Sequence, residues 1–215
     1  MDQPVLLSVR VGRVAPLGPD GLPSGYVKRE VAGAVAAGPL GLAGDEQADL
    51  SVHGGPDKAV YGYPAAHYAG WAADFPELAD RLAVGAMGEN LSLGGLVEGD
   101  LCVGDVHAVG TARLQVCQPR QPCFKLALHL GEKRAGKAMV RSGRSGWYYR
   151  VLTPGTLRAG DAVALADRPN PCFRFDRLVA IVNGARATRP ELENMAGMAA
   201  LPDALRDRAR RALGG

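Results

Sequence analysis

Long apolar runs are missing from this 215-residue chain. The uncharged stretch "VAGAVAAGPLGLAG" at 31–44 is too short, and too rich in glycine and proline, to span a bilayer, so no membrane segment is expected. Nucleotide loops of the G-x-x-x-x-G-K-[ST] and G-x-G-x-x-G types are absent, and so is a G-x-S-x-G nucleophile elbow. The four histidines lack metal-ligand spacing, and none of the four cysteines forms a C-x-x-C pair, which leaves a structural zinc site without support. Net charge is only +3, so affinity for nucleic acid is allowed but not implied. The opening "MDQPVLLSVRVGRV" carries an acidic second residue and an apolar run broken by Arg10, which reads as a strand and not as a secretory signal. A cytoplasmic protein with free thiols is the expectation.

What is present is abundant glycine (29) and proline (15), with 47% hydrophobic residues, enough for a proper core. Alternation in "LLSVRVGRV", and more weakly in "GYVKREVAG", predicts short strands joined by tight turns. A helix is predicted over 65–82, with Tyr68, Trp71, Ala72 and Phe75 on one face and Pro76 ending or kinking it. Strands return in "EGDLCVGDVHAVGTARLQVCQ", a helical stretch follows at 122–141, and "GWYYRVLTPGTLRAGDAVALADR" supplies two more strands. Many short strands with few helices predict a mainly β fold, a barrel rather than a doubly wound sheet. Pro169-Asn170-Pro171 marks a boundary between domains at 1–168 and 169–215. Beyond it the period is helical. Phe175, Leu178, Val179 and Val182 form one stripe, Thr188 with Glu191 a capping box, and Leu205, Ala209 and Leu213 a third stripe.

Cys123, in "QPRQPCFKL", is the first chemical candidate. Pro122 favours a helix's first turn, where free N–H groups stabilise a thiolate, and Arg120 and Lys125 add positive charge. That setting suits a metal ligand or a nucleophile; the plain alternative is an inert cysteine, which is the reading for Cys102, Cys117 and Cys172. His53 and Lys58 flank the turn Gly54-Gly55-Pro56-Asp57, whose backbone N–H groups can face an anion; equally, Lys58 is a surface charge and His53 a satisfied core residue. Asn90 in "GENL" either donates to a ligand or caps a turn. Arg144 and Arg150 in "GRSGWYYRVL" either hold phosphate or solvate half-buried strands. Arg206, Arg208, Arg210 and Arg211, interleaved with Asp203 and Asp207, read as a solvated helix face, although a non-enzymatic binding module docking through them is an alternative.

The blocks "GLAGDEQADLSVHGGPDKAVYGYP", "HYAGW", "GENLSLGGLVEGDLCVGD", "LQVCQPRQPCFKL" and "GRSGWYYRVLTPGTLRAGD" follow one another over roughly 40–162. In that order they resemble the MOSC domain, named after the C-terminal domain of molybdenum cofactor sulfurase, and most closely its compact bacterial members with a trailing three-helix domain. The resemblance implies a MOSC β-barrel, a molybdenum cofactor (molybdopterin), and Cys123 as the sulfur ligand to molybdenum. It implies that His53, Lys58, Asn90, Arg120, Arg144 and Arg150 bind the pterin phosphate and its surroundings. The implied chemistry is oxidoreductase work, the reduction of an N-hydroxylated base or related N-oxygenated compound by oxygen-atom transfer. No C-x-x-C-H, iron–sulfur cysteine set or recognisable flavin loop occurs, so electrons are expected from a separate reductase. A sulfur carrier using a Cys123 persulfide is the competing expectation. The oligomeric state is left open, a homodimer included.

Overall fold

The computed structural model describes residues 3–214. In chain order the elements are β1 (Val5–Val11), β2 (Ala15–Leu17), β3 (Leu22–Ser24), β4 (Arg29–Glu30), β5 (Val35–Gly38), β6 (Gly41–Leu42), β7 (Val60–Pro64), α1 (His67–Asp74) and β8 (Leu91–Gly94). Then come β9 (Val106–Val109), β10 (Ala112–Pro119), α2 (Phe124–Leu130), α3 (Ala135–Ser142), β11 (Trp147–Thr153), β12 (Gly155–Leu157) and β13 (Val163–Asp167), followed by α4 (Phe175–Val182), α5 (Arg189–Gly197) and α6 (Asp203–Gly214).

The main sheet has eight strands in the order β13-β9-β10-β11-β7-β8-β1-β4, all antiparallel neighbours except the parallel pair β7–β8. Its two flanks meet at one point. Val5 of β1 bridges Ala162, just before β13, with Leu6 N–H donating to Asp161 O at 2.9 Å and Val163 N–H to Pro4 O at 2.8 Å. One bridge is a seam and not a ladder, so the architecture is a curled, mixed, sheet-dominated fold with flanking helices; the closed barrel expected from the sequence is not what the strand pairing shows. Closure depends on long-range register, which periodicity does not encode.

Local expectations meet several corrections. The "GYVKREVAG" strand shrinks to the two residues of β4, because the segment before it turns inward, burying Tyr26 and drawing Lys28 into a cavity. The helix predicted over 65–82 stops at Asp74, and Pro76 opens a separate 3-10 turn over Pro76–Arg81, as its missing N–H favours. Tyr68, Trp71 and Phe75 are buried on the face predicted for them, and Ala72 is half-buried. The 122–141 stretch forms two helices, α2 and α3, and the region 147–167 holds three strands where two were expected.

Packing decides which side of each strand faces in. Leu6, Val9, Leu91, Leu93, Leu114, Trp147 and Tyr149 fill the principal core at 0–1% exposure. Gly62 of β7 lies against them, and a Cβ there would come within 3.0 Å of the Tyr149 ring and 3.1 Å of Leu93, so any side chain there would have to push these neighbours aside. The same core includes Phe175, Leu178 and Val179 of α4, with Phe175 edge-on to Trp147 at 6.2 Å between centroids. The Thr188–Glu191 capping box is present, Thr188 N–H donating to Glu191 Oε2 at 2.7 Å. A second cluster gathers Tyr61, Tyr63, Tyr68, Trp71, Phe75 and Leu126 beneath α1 and α2. No described helix is long and apolar enough to cross a membrane.

Candidate functional site

A cavity of about 310 Å³ opens between the end of β10, the 45–54 loop and the segment before β4. Five of the seven residues singled out by sequence line it: His53, Lys58, Asn90, Arg120 and Cys123. Pro119 ends β10, and Cys123 is the N-cap of α2 in extended conformation (φ −111°, ψ 165°). Pro122 therefore precedes the helix instead of occupying its first turn. The Cys123 side chain makes no capping hydrogen bond, and the residue is half-buried.

Arg120 stands out on electrostatic grounds. It is 6% exposed, and no carboxylate of the described residues lies within ion-pair distance. Its guanidinium donates to Met87 O and sits 4.7 Å from the Tyr61 ring centroid and 5.2 Å from that of Tyr26. A buried, unpaired cation is costly unless an anion arrives to meet it. Burial pushes the Tyr26 hydroxyl up to about 12, offset in part by Arg120, and raises Tyr61 and Tyr148 likewise, so these phenols stay neutral and offer ring faces. Burial, then the charges of Lys58, Lys125 and Arg120, hold His53 below its usual range.

The turn carrying His53 and Lys58 depends on Gly54 (φ +96°) and Gly55 (φ +80°), conformations that L side chains rarely adopt. Lys58 Nζ donates to Val52 O at 2.6 Å. Asn90 touches the cavity but is already committed. Its Nδ2 donates to Arg10 O (3.1 Å) and Asp45 Oδ2 (2.9 Å), and its Oδ1 accepts from Tyr61 N–H (3.0 Å). With both donors used, Asn90 fixes the loop that forms the wall. The fully buried Glu89 beside it accepts from Tyr68, Ser92 and the Gly85 N–H, which anchors this segment.

Arg144 and Arg150 lie elsewhere. Arg144 pairs with Asp74 and stacks 4.9 Å over Trp71, on a separate groove. Arg150 donates to Asp57 Oδ1 (2.8 Å) and Gln115 Oε1 (2.9 Å), outside the cavity. It reaches the cavity only by steadying the Pro56–Lys58 turn. Cys117 sits behind that turn, buried, its thiol donating to Asp57 O at 3.0 Å and pushed up to about 12 by burial. Lys28 and Asp45, an almost fully buried ion pair lining the cavity, were not anticipated. The only sequence signal was the in–out alternation Tyr26, Val27, Lys28.

Among the described residues no cluster of three His, Cys, Asp or Glu can hold a metal. Cys123 is the one thiol lining the cavity. A metal seated here would take a single sulfur from the protein and its other ligands from a carrier, and Arg120 would meet an anionic group of that carrier. The donor set thus fits a metal bound to an anionic organic cofactor. Replacing Arg120 with methionine is expected to weaken binding of inorganic phosphate by at least about tenfold, the loss of one charge-assisted contact. Titration calorimetry measures this, and the ligand-free melting temperature should not fall, since a buried unpaired charge is removed.

The MOSC domain profile matches residues 49–164. Protein YiiM of Escherichia coli K12 is 44% identical over 150 residues, covering 70% of this chain and 67% of that protein. A protein named Reductase from Gibberella moniliformis is 41% identical over 170 residues, 78% of this chain but only 30% of that longer protein. The crystal structure of YiiM from Geobacillus stearothermophilus superposes with a TM-score of 0.81 at 31% identity, across 98% of this chain and 99% of that one. Since the profile takes in more than half of the residues and the relatives agree with it in sequence and fold, this chain belongs to the MOSC domain family.

Proposed function

We propose that this chain is a molybdenum-cofactor-dependent reductase of N-hydroxylated bases and related N-oxygenated compounds, supplied with electrons by a separate reductase protein. The observation that carries the reading is the pairing, in one cavity, of a half-buried thiol with a buried cation that has no carboxylate partner among the described residues. Similarity to a fungal protein named Reductase supports a redox role. Cys123 would hold the metal, and Arg120, with His53 and Lys58 across the cavity, would hold the pterin phosphate. When bound, the cofactor supplies two-electron redox chemistry at the metal. The protein's share is placement. Tyr26, Tyr61 and Tyr148 present neutral aromatic surface on which a flat base can lie, and the His53–Lys58 turn, braced by Arg150, closes one wall.

Protein made in a host that synthesises the cofactor should contain molybdenum and pterin. With reduced viologen it should convert an N-hydroxylated base to the amine, and with NADH or NADPH alone it should not. Absence of metal together with cyanide-releasable sulfur on Cys123 would replace this reading with a sulfur carrier. Sustained turnover on a nicotinamide alone would remove the separate reductase.

A further inference from the structure

We propose that Lys28 is the acid of this cavity, its ammonium giving a proton to the oxygen that leaves the substrate while Asp45 holds the ammonium in place. The inference rests on the reductase reading above.

Three observations support it. First, Lys28 lines the cavity with 8% of its side chain exposed, and Asp45, at 2%, is locked by Gly12 N–H (2.8 Å) and Asn90 Nδ2 (2.9 Å). Second, Lys28 Nζ donates to Asp45 Oδ1 and to Gly25 O (3.2 Å), so its third N–H has no acceptor among the described residues. Third, the other groups present are poor donors. Arg120 does not release a proton, and the buried tyrosines are held above their usual range. His53 is depressed and so largely unprotonated near neutrality, and Lys58 and Lys125 are tied to carbonyls of Val52 and Pro23 in exposed contacts.

Burial lowers the Lys28 pKa, and Asp45 restores part of the loss. The ionisable groups around it are Asp45 and Glu46 of the loop, Arg120, Glu89, Tyr26, and Arg10 against its own carbonyl. An ammonium made more acidic by burial, yet held by a carboxylate, is a suitable general acid.

The step balances as R–NH–OH + 2 e⁻ + 2 H⁺ → R–NH₂ + H₂O. The N–O bond breaks, the electron pair comes from the separate reductase, Lys28 protonates the departing oxygen, and the nitrogen takes the second proton from solvent. Water then reprotonates the Lys28 amine.

The test uses loaded protein and, independently, cofactor-free protein. Lys28→Arg keeps the charge but not the acidity, and kcat should fall about 100-fold with cofactor content unchanged. The acid works while protonated, so wild-type turnover should decline as pH rises through the Lys28 pKa. Asp45→Asn removes the charge favouring the ammonium and should shift that decline to lower pH, which also decides the matter if Lys28→Arg does not fold. On cofactor-free protein, nitrogen NMR of labelled lysine should show Lys28 titrating below the 10.5 of a free side chain. A Lys28→Arg enzyme within about threefold of wild type would make Lys28 only a charge for the cofactor anion and overturn the inference. So would titration at or above the free value. Wild-type protein that is loaded but inactive overturns the reductase reading as well, whereas an active wild type with an unimpaired Lys28→Arg overturns this inference alone.

Discussion

Cys123→Ala should abolish turnover of an N-hydroxylated base while leaving the melting temperature close to that of the unaltered protein. The side chain is half-buried and caps nothing, so its removal costs the fold little. Among the described residues its sulfur is the only soft donor lining the cavity. Cys123→Ser should fare little better, because a hydroxyl is harder and far less acidic than a thiol. Arg120 remains in both variants, so pterin can still bind through its anion, and cofactor content alone is a poor readout. The measurement is activity per bound molybdenum in folded protein, beside Cys117→Ala as control. Cys117 is fully buried and bonded to Asp57 O, so that variant should lose about 1–2 kcal/mol of stability and keep its activity. Near-normal turnover in Cys123→Ala would make the cysteine structural.

Phe175→Ala should be among the most damaging single changes to the fold outside the cavity. The ring has no solvent exposure, packs edge-on against Trp147, and its backbone N–H donates to Leu101 O at 2.9 Å. Emptying that space costs about 3–5 kcal/mol, on the order of 10 °C in melting temperature for a chain this long. Phosphate affinity at Arg120 should be unchanged in the fraction that stays folded, because Phe175 lies in the principal core and the residues around Arg120 in the second cluster. A chain ending at Arg168 removes α4 altogether and uncovers the Trp147 face, so it should unfold or aggregate sooner than the point variant. Thermal denaturation with a phosphate titration checks both. Equal stability of the shortened and full chains would show that the helices contribute nothing to the sheet core.

Legibility from sequence followed the range of the interaction. Cys123, which lines the cavity, stands out in sequence because prolines and an arginine lie within a few residues of it, and the α5 capping box because Thr188 and Glu191 are three apart. That Arg144 and Arg150 lie outside this cavity was not legible, for the opposite reason. Their partners Asp74 and Asp57 lie 70 and 93 residues away, and an unpartnered arginine looks the same in sequence as a paired one. Lys28 and Asp45 meet across only 17 residues, but the loop between them has no period that would orient one toward the other. Asn90 was seen as a polar residue in a tight segment; its bonds to Arg10 and Asp45 depend on β1 and the loop being brought beside it. Strand and helix stripes survive because burial repeats every two or every three to four residues. The seam at Val5 and Ala162 obeys no such period.

That seam has a kinetic meaning. β1 meets its short near neighbour β4 early, yet its longer ladder partner β8 begins at Leu91 and its bridge partner is Ala162. At translation speeds of about 5–20 residues per second, β1 waits roughly 4–16 s for β8 and longer still for the bridge. During that interval Leu6 and Val9, both fully buried in the finished protein, have only the two-residue β4 beside their strand and no core to enter. Joining such distant segments incurs a large loop-closure entropy, which slows folding and leaves an unpaired strand open to other chains. A strand made well before β8 and Ala162 therefore completes its pairing late, and most of the residues between them must be made before the sheet can be drawn together.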